Sequence, residues 1–219
     1  MDGNYFLIGR HDAGFLRAQW IGLASRFAAG APLIESLFDA IVERYSESGR
    51  AYHNLSHIQS LLALSESLLE KIQNRDALYF AIWFHDVIYD TRRSDNEEKS
   101  AEFATEALTR LGVPKPARAV AQEMILATKR HGGEDLSWDT KAFLDLDVSI
   151  LGAPEDIYRE YSRAIRKEYS WVPDVLYREG RTKVLNDFLR RDRIYQTEEI
   201  GATYEARARR NIAEEIRAL

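Results

Sequence analysis

The 219-residue chain has no cysteine, so it can build neither a disulfide framework, nor a thiolate metal site, nor a catalytic thiol. Long apolar runs are missing as well: the longest, ALYFAIWF at residues 77–84, is far too short to span a bilayer. The first residues, MDGNYFLIGRHDAG, lack the charged start, apolar stretch and cleavage site of a secretory signal, and the expected location is the cytoplasm. There is no excess of positive charge. The formal net charge is -5, which argues against a general nucleic-acid binder that works by neutralising phosphates. No Gly-rich loop of the P-loop or dinucleotide type occurs, so a nucleoside triphosphate is not gripped in those ways. Alternating strand patterns, repeats and low-complexity segments are also absent.

What is present is helical spacing. With 45% hydrophobic and 30% charged residues the composition is that of an ordinary globular protein, and the length calls for no more than one substantial core. In NLSHIQSLLALSESLLEKI the residues Leu55, Ile58, Leu62, Leu69 and Ile72 recur at three, four or seven positions, as one helix face requires. The same reading along the chain predicts helices near 16–29, 33–48, 54–72, 75–89, 95–111, 115–130, 138–148, 155–169, 174–190 and 203–218. Gly49, Gly112 with Pro114, Gly132-Gly133, Gly152 with Pro154, and Pro173 punctuate them. The expected fold class is all-α, an irregular bundle of roughly ten helices in a single domain.

The stretch AIWFHDVIYD sets His85 and Asp86 side by side in an apolar run. A buried carboxylate without a partner costs several kcal/mol, so something must compensate it. Of only five histidines, His53, His57, His85 and His131 each fall at or near a predicted helix end, while His11 stands alone. Asn54 is placed to cap a helix, which leaves His53 outside it and turns His57 toward the core. Carboxylates concentrate in the same part of the chain: residues 1–153 hold 16 Lys+Arg against 22 Asp+Glu, and residues 154–219 hold 14 against 13.

The order YHNLSHI, FHDVIYD, NEEKSA, ILATKRH and DLDVSILG, followed by IRKEYS, IYQT and ARRNIAEEI, resembles a predicted subfamily of the HD superfamily of metal-dependent phosphohydrolases, over residues ~50 to 219. The resemblance implies a domain with N-terminal helices (1–48), a metal-site core (50–152) and C-terminal helices (153–219). It implies a divalent cation held by His57, His85, Asp86 and Asp147, with Asp145 orienting a ligand by hydrogen bonding. A cation would supply the charge that makes Asp86 tolerable, and a mixed N/O donor set suits Mn²⁺, Fe²⁺, Co²⁺, Mg²⁺ or Zn²⁺ without choosing among them. The implied reaction is hydrolysis of a small phosphate ester, with a nucleotide as first candidate. Asp86, Glu97 and His131 are its candidate catalytic groups, and His53, Arg50 and Arg166 its candidate substrate-binding groups. The alternative is a metal- and nucleotide-binding module or sensor without turnover.

Several of these residues have a second reading. His131 before Gly132-Gly133 is equally explained by the helix dipole and a glycine cap. Ser94-Asp95-Asn96-Glu97 matches the capping box that opens a helix, with Glu97 serving the backbone. Asp90 is either one turn from the site or a solvated helix end, and Lys183 is a further basic group able to meet phosphate oxygens.

Overall fold

The computed structural model describes residues 5–132 and 135–219, and among the described residues it contains helices and no strand. The α-helices are α1 (Ala13–Ala24), α2 (Ala31–Tyr45), α3 (Leu55–Ser65), α4 (Arg75–Phe84), α5 (Asn96–Leu111), α6 (Lys115–Ala127), α7 (Trp138–Asp147), α8 (Glu155–Glu168), α9 (Asp174–Leu189) and α10 (Glu198–Ala218). Short 3-10 turns follow α3, at Glu66–Leu68, and α7, at Val148–Gly152. The all-α bundle of about ten helices is therefore observed.

Helix α4 is the axis of the bundle. Ala77, Leu78 and every residue from Phe80 to Phe84 are fully buried, as expected of a helix that is apolar all round. The N-terminal helices, which carry no motif, give α4 its cover: Trp20 of α1 meets the rings of Phe80, Trp83 and Phe84 edge to face at 6.4, 5.6 and 5.9 Å. The Trp20 indole N–H donates to the carbonyl of Ile34 on α2, which satisfies its one polar atom.

Local rules set the helix ends. Asn54 accepts from the Ser56 N–H at 2.9 Å and opens α3, so His53 lies outside the helix and His57 in its first turn. Gly112, in the left-handed region at φ 80°, closes α5 while the Val113 N–H returns to the Leu108 carbonyl. Several expected boundaries shift: the helix expected at 16–29 runs from Ala13 to Ala24, and that expected at 33–48 from Ala31 to Tyr45. The expected helix 75–89 ends at Phe84, the expected helix 54–72 breaks after Ser65, and α10 begins five residues before 203.

Gly152 also does more than punctuate. A Cβ there would lie 2.6 Å from the Cβ of Tyr204 and 2.9 Å from its carbonyl oxygen, so glycine lets the turn after α7 press directly on α10.

Candidate metal centre and cavity

Three helix ends meet at one point. His57 comes from the first turn of α3, His85 from the residue after α4, and Asp147 is the last residue of α7. The Nε2 atoms of His57 and His85 stand 3.2 Å apart, and Asp147 Oδ1 lies 3.1 Å from the first and 3.4 Å from the second. Donors about 2.1 Å from one ion stand roughly 3.0 Å apart in octahedral and 3.4 Å apart in tetrahedral arrangement. The observed triangle matches that spacing.

The tautomer fits too. His85 Nδ1 is 3.0 Å from the Ile82 carbonyl, which can only accept, so Nδ1 carries a hydrogen and Nε2 is the nitrogen that presents a lone pair whenever the ring is neutral. With both imidazoles buried and a carboxylate oxygen facing the same point, the His57, His85 and Asp147 group could hold a metal ion.

Two more groups touch this cluster. Asp86 Oδ2 is 3.1 Å from His85 Nε2, at the edge of the triangle, and its backbone N–H donates to the hydroxyl of the buried Tyr45. His131 Nε2 is 2.8 Å from Asp147 Oδ2. His131 has φ 46°, in the region that side-chain-bearing residues rarely adopt, so it occupies the left-handed turn that a glycine cap would normally take. Its carbonyl accepts from Arg191 at 2.5 Å. Gly133, part of the expected cap, lies outside the described residues.

Electrostatics follow from this crowding. Burial pushes the pKa of His57 down. Burial works against the cationic form of His85 as well, but Asp86 and Asp147 outweigh it and raise its pKa well above the ordinary value. For Asp147 burial favours the neutral acid, yet His85, His131 and His57 together hold the carboxyl well below the usual range. Asp86 is lowered mainly by His85, against the effect of its burial. The imidazoles around Asp86 and Asp147 thus favour the ionised form of both carboxylates.

A cavity of about 630 Å³, the size of a small-molecule site, opens beside the cluster. His53, Asp86, Glu97, His131 and Asp147 reach its wall. Glu97 does so because the expected capping box does not form: Asp95 precedes α5 without a side-chain cap and binds Arg93 instead, while Glu97 is the second residue of the helix.

Five expectations are corrected. Arg50 is not on the cavity wall; its buried guanidinium donates to the carbonyls of His53, Asp86 and Val87 and so braces the loops that carry the site. Arg166 donates to the carbonyls of Tyr169 and Val172 and pairs with Asp174, fixing the turn between α8 and α9. Asp145 touches no ligand: it accepts from the Gln196 and Thr197 N–H groups and the Thr197 hydroxyl, joining α7 to the start of α10, and its burial raises its pKa. The Asp90 carboxylate accepts from the Arg92 N–H, and its backbone N–H and carbonyl pair with the side-chain amide of Asn96, closing a turn. Lys183 is exposed on α9 and does not line the cavity.

The residue that sequence reading passed over is Glu168. It accepts from the Tyr52 and His53 N–H groups at 2.7 and 2.9 Å, lies 2.7 Å from His53 Nδ1, and accepts from the Tyr89 hydroxyl at 2.9 Å. His53, despite its burial, is shifted upward by this carboxylate. Glu168 itself, despite burial, is drawn down to about 2 by His53 and the backbone donors. The signal was available: on α8 Glu168 continues the buried stripe of Tyr158, Tyr161 and Ile165.

Comparisons of the chain with protein-family models, curated proteins and solved structures give no match.

Proposed function

We propose that the chain is a metal-dependent phosphohydrolase of the HD kind, acting on a small phosphate ester, with a nucleotide as first candidate. One observation carries the reading: donors from residues 57, 85 and 147 form a triangle of metal-site dimensions next to a cavity of ligand size. His57, His85 and Asp147 would hold the cation, with Asp86 as the fourth protein donor. A bound divalent cation would supply a Lewis acid for a phosphoryl oxygen and a water acidic enough to attack near neutral pH.

The remaining roles belong to the chain's own side chains. Asp86, ionised and on the cavity wall, accepts the proton of the attacking water. His131, held by Asp147, and Glu97 across the same cavity are the groups within reach of a leaving oxygen. His53, whose cationic form Glu168 favours through Nδ1, offers Nε2 to a phosphoryl oxygen and takes the place of Arg50 and Arg166 as the substrate's basic partner.

The test uses untagged chain. Elemental analysis is expected to find a divalent metal, and incubation with Mn²⁺ and a panel of mono- and dinucleotides and simple esters is expected to release product in a manner abolished by Asp86→Ala. Metal and ligand binding without release from any ester would leave the sensor reading instead. Protein without metal, even after loading, would end both.

A further inference from the structure

The two sides of the cavity differ in chemistry. One is polar and belongs to the donor cluster. The other comes from α8, α9 and the turn between them, and presents Ile165, Trp171, Leu176, Val184 and Phe188. Trp171, Leu176 and Val184 are 46, 58 and 47% exposed, so large apolar side chains stand open at the lip where most surfaces carry polar ones. The aromatic lining is continuous with the cluster: the Tyr52 ring is 4.9 Å from that of His57 and the Phe188 ring 6.4 Å from that of His131.

The guanidinium groups on the cavity wall are already matched. Arg181 meets Glu215 through two bonds, Nε to Oε1 at 2.8 Å and Nη2 to Oε2 at 3.2 Å, and Arg93 meets Asp95 in the same two-pronged way at 2.9 and 2.7 Å. Among the described residues no lysine lines the cavity, whereas Asp86, Glu97 and Asp147 do. A chain of phosphates carrying three or four negative charges would meet carboxylates here, with no unmatched guanidinium to receive it.

We infer that the substrate is a monophosphate ester whose leaving group is a compact apolar or aromatic body, seated against α8 and α9 while the single phosphate faces the donor cluster. This rests on the hydrolase reading above for the phosphate end. The apolar end is independent of turnover.

The experiment compares 1-naphthyl phosphate, glycerol 3-phosphate, AMP and ATP on the full chain with Mn²⁺. The expected order puts 1-naphthyl phosphate above glycerol 3-phosphate by roughly ten- to a hundredfold in kcat/KM, with ATP lowest. In Leu176→Asp and Val184→Asp, whose side chains are exposed and whose folding is checked by circular dichroism, the naphthyl-to-glycerol ratio is expected to fall toward one, chiefly through KM. Equal rates on the two esters, preference for ATP, or an unchanged ratio in both variants would overturn the inference. Calorimetric titration of 1-naphthyl phosphate against inorganic phosphate separates the two readings if nothing is hydrolysed. Tighter binding of the naphthyl ester, weakened by Leu176→Asp, upholds the apolar seat without the enzyme, and equal binding removes it.

Discussion

Glu168 fixes the entrance to α3 with one side chain, because both oxygens are engaged by groups of the 52–53 segment and by Tyr89. Its folded pKa of about 2 lies below the ordinary 4.5, so the stability it contributes is complete above pH 4.5 and is lost as pH falls toward 2. The upward shift of His53 gives the opposite edge: that contribution is complete below 6.5 and fades as pH rises through the raised value. One ion pair underlies both. Glu168→Gln is expected to lower unfolding free energy by about 3 kcal/mol near pH 5–6, judged from the shift of its pKa, and to flatten the acid limb of a urea-denaturation series between pH 4.5 and 2. An unchanged acid limb would assign the acid sensitivity elsewhere. At the donor cluster, Asp147→Asn leaves an amide oxygen but removes the negative charge that both imidazoles face. Losing even a supporting partner typically weakens a metal site 10- to 100-fold, so this direct donor is expected to cost at least ~100-fold in Mn²⁺ affinity by calorimetry.

At the scale of elements, the contact between the Val148–Gly152 turn and α10 places the end of α7, and with it Asp147. Gly152→Ala would force a methyl group onto the Tyr204 backbone, and the expected loss is about 1–3 kcal/mol, read as a lower Tm in thermal melts. A melt identical to that of the parent would mean that α10 yields more easily than its packing suggests. Helix identity was legible in the sequence because apolar spacing repeats over three or more turns in most members. Helix ends were less so. The apolar spacing of residues 75–89 runs through His85, whereas hydrogen bonding ends α4 at Phe84 and bends the chain so that His85 and Asp86 both face the cluster. Histidine and aspartate positions were legible for a similar reason, as polar groups in apolar surroundings. The arginines were not: whether Arg50 meets a phosphate or a row of carbonyls depends on loops brought together from 36 or 37 residues away.

For the whole molecule, the donors span residues 57 to 147 and come together only when α3, α4 and α7 have docked. The unfolded chain therefore lacks the site, and a cation that binds the folded state alone stabilises it by mass action. At 100 times its dissociation constant the gain is about 2.7 kcal/mol, which for a chain of this length corresponds to a Tm rise of roughly 5–10 °C. Scanning calorimetry with Mn²⁺ and then with excess chelator is expected to show that rise and its reversal, and Asp147→Asn is expected to lack it. A Tm indifferent to both additions would mean that no ion is held.

His131 reaches Asp147 from a turn whose carbonyl is tied to Arg191, in the segment that leads into α10. The far end of the polypeptide thus acts as a guy line on the pocket's rim. Slackening it, by nicking the backbone near 190 or loosening the start of the last helix, would let one imidazole swing away while the deeper pair, anchored on α3 and α4, stayed in register.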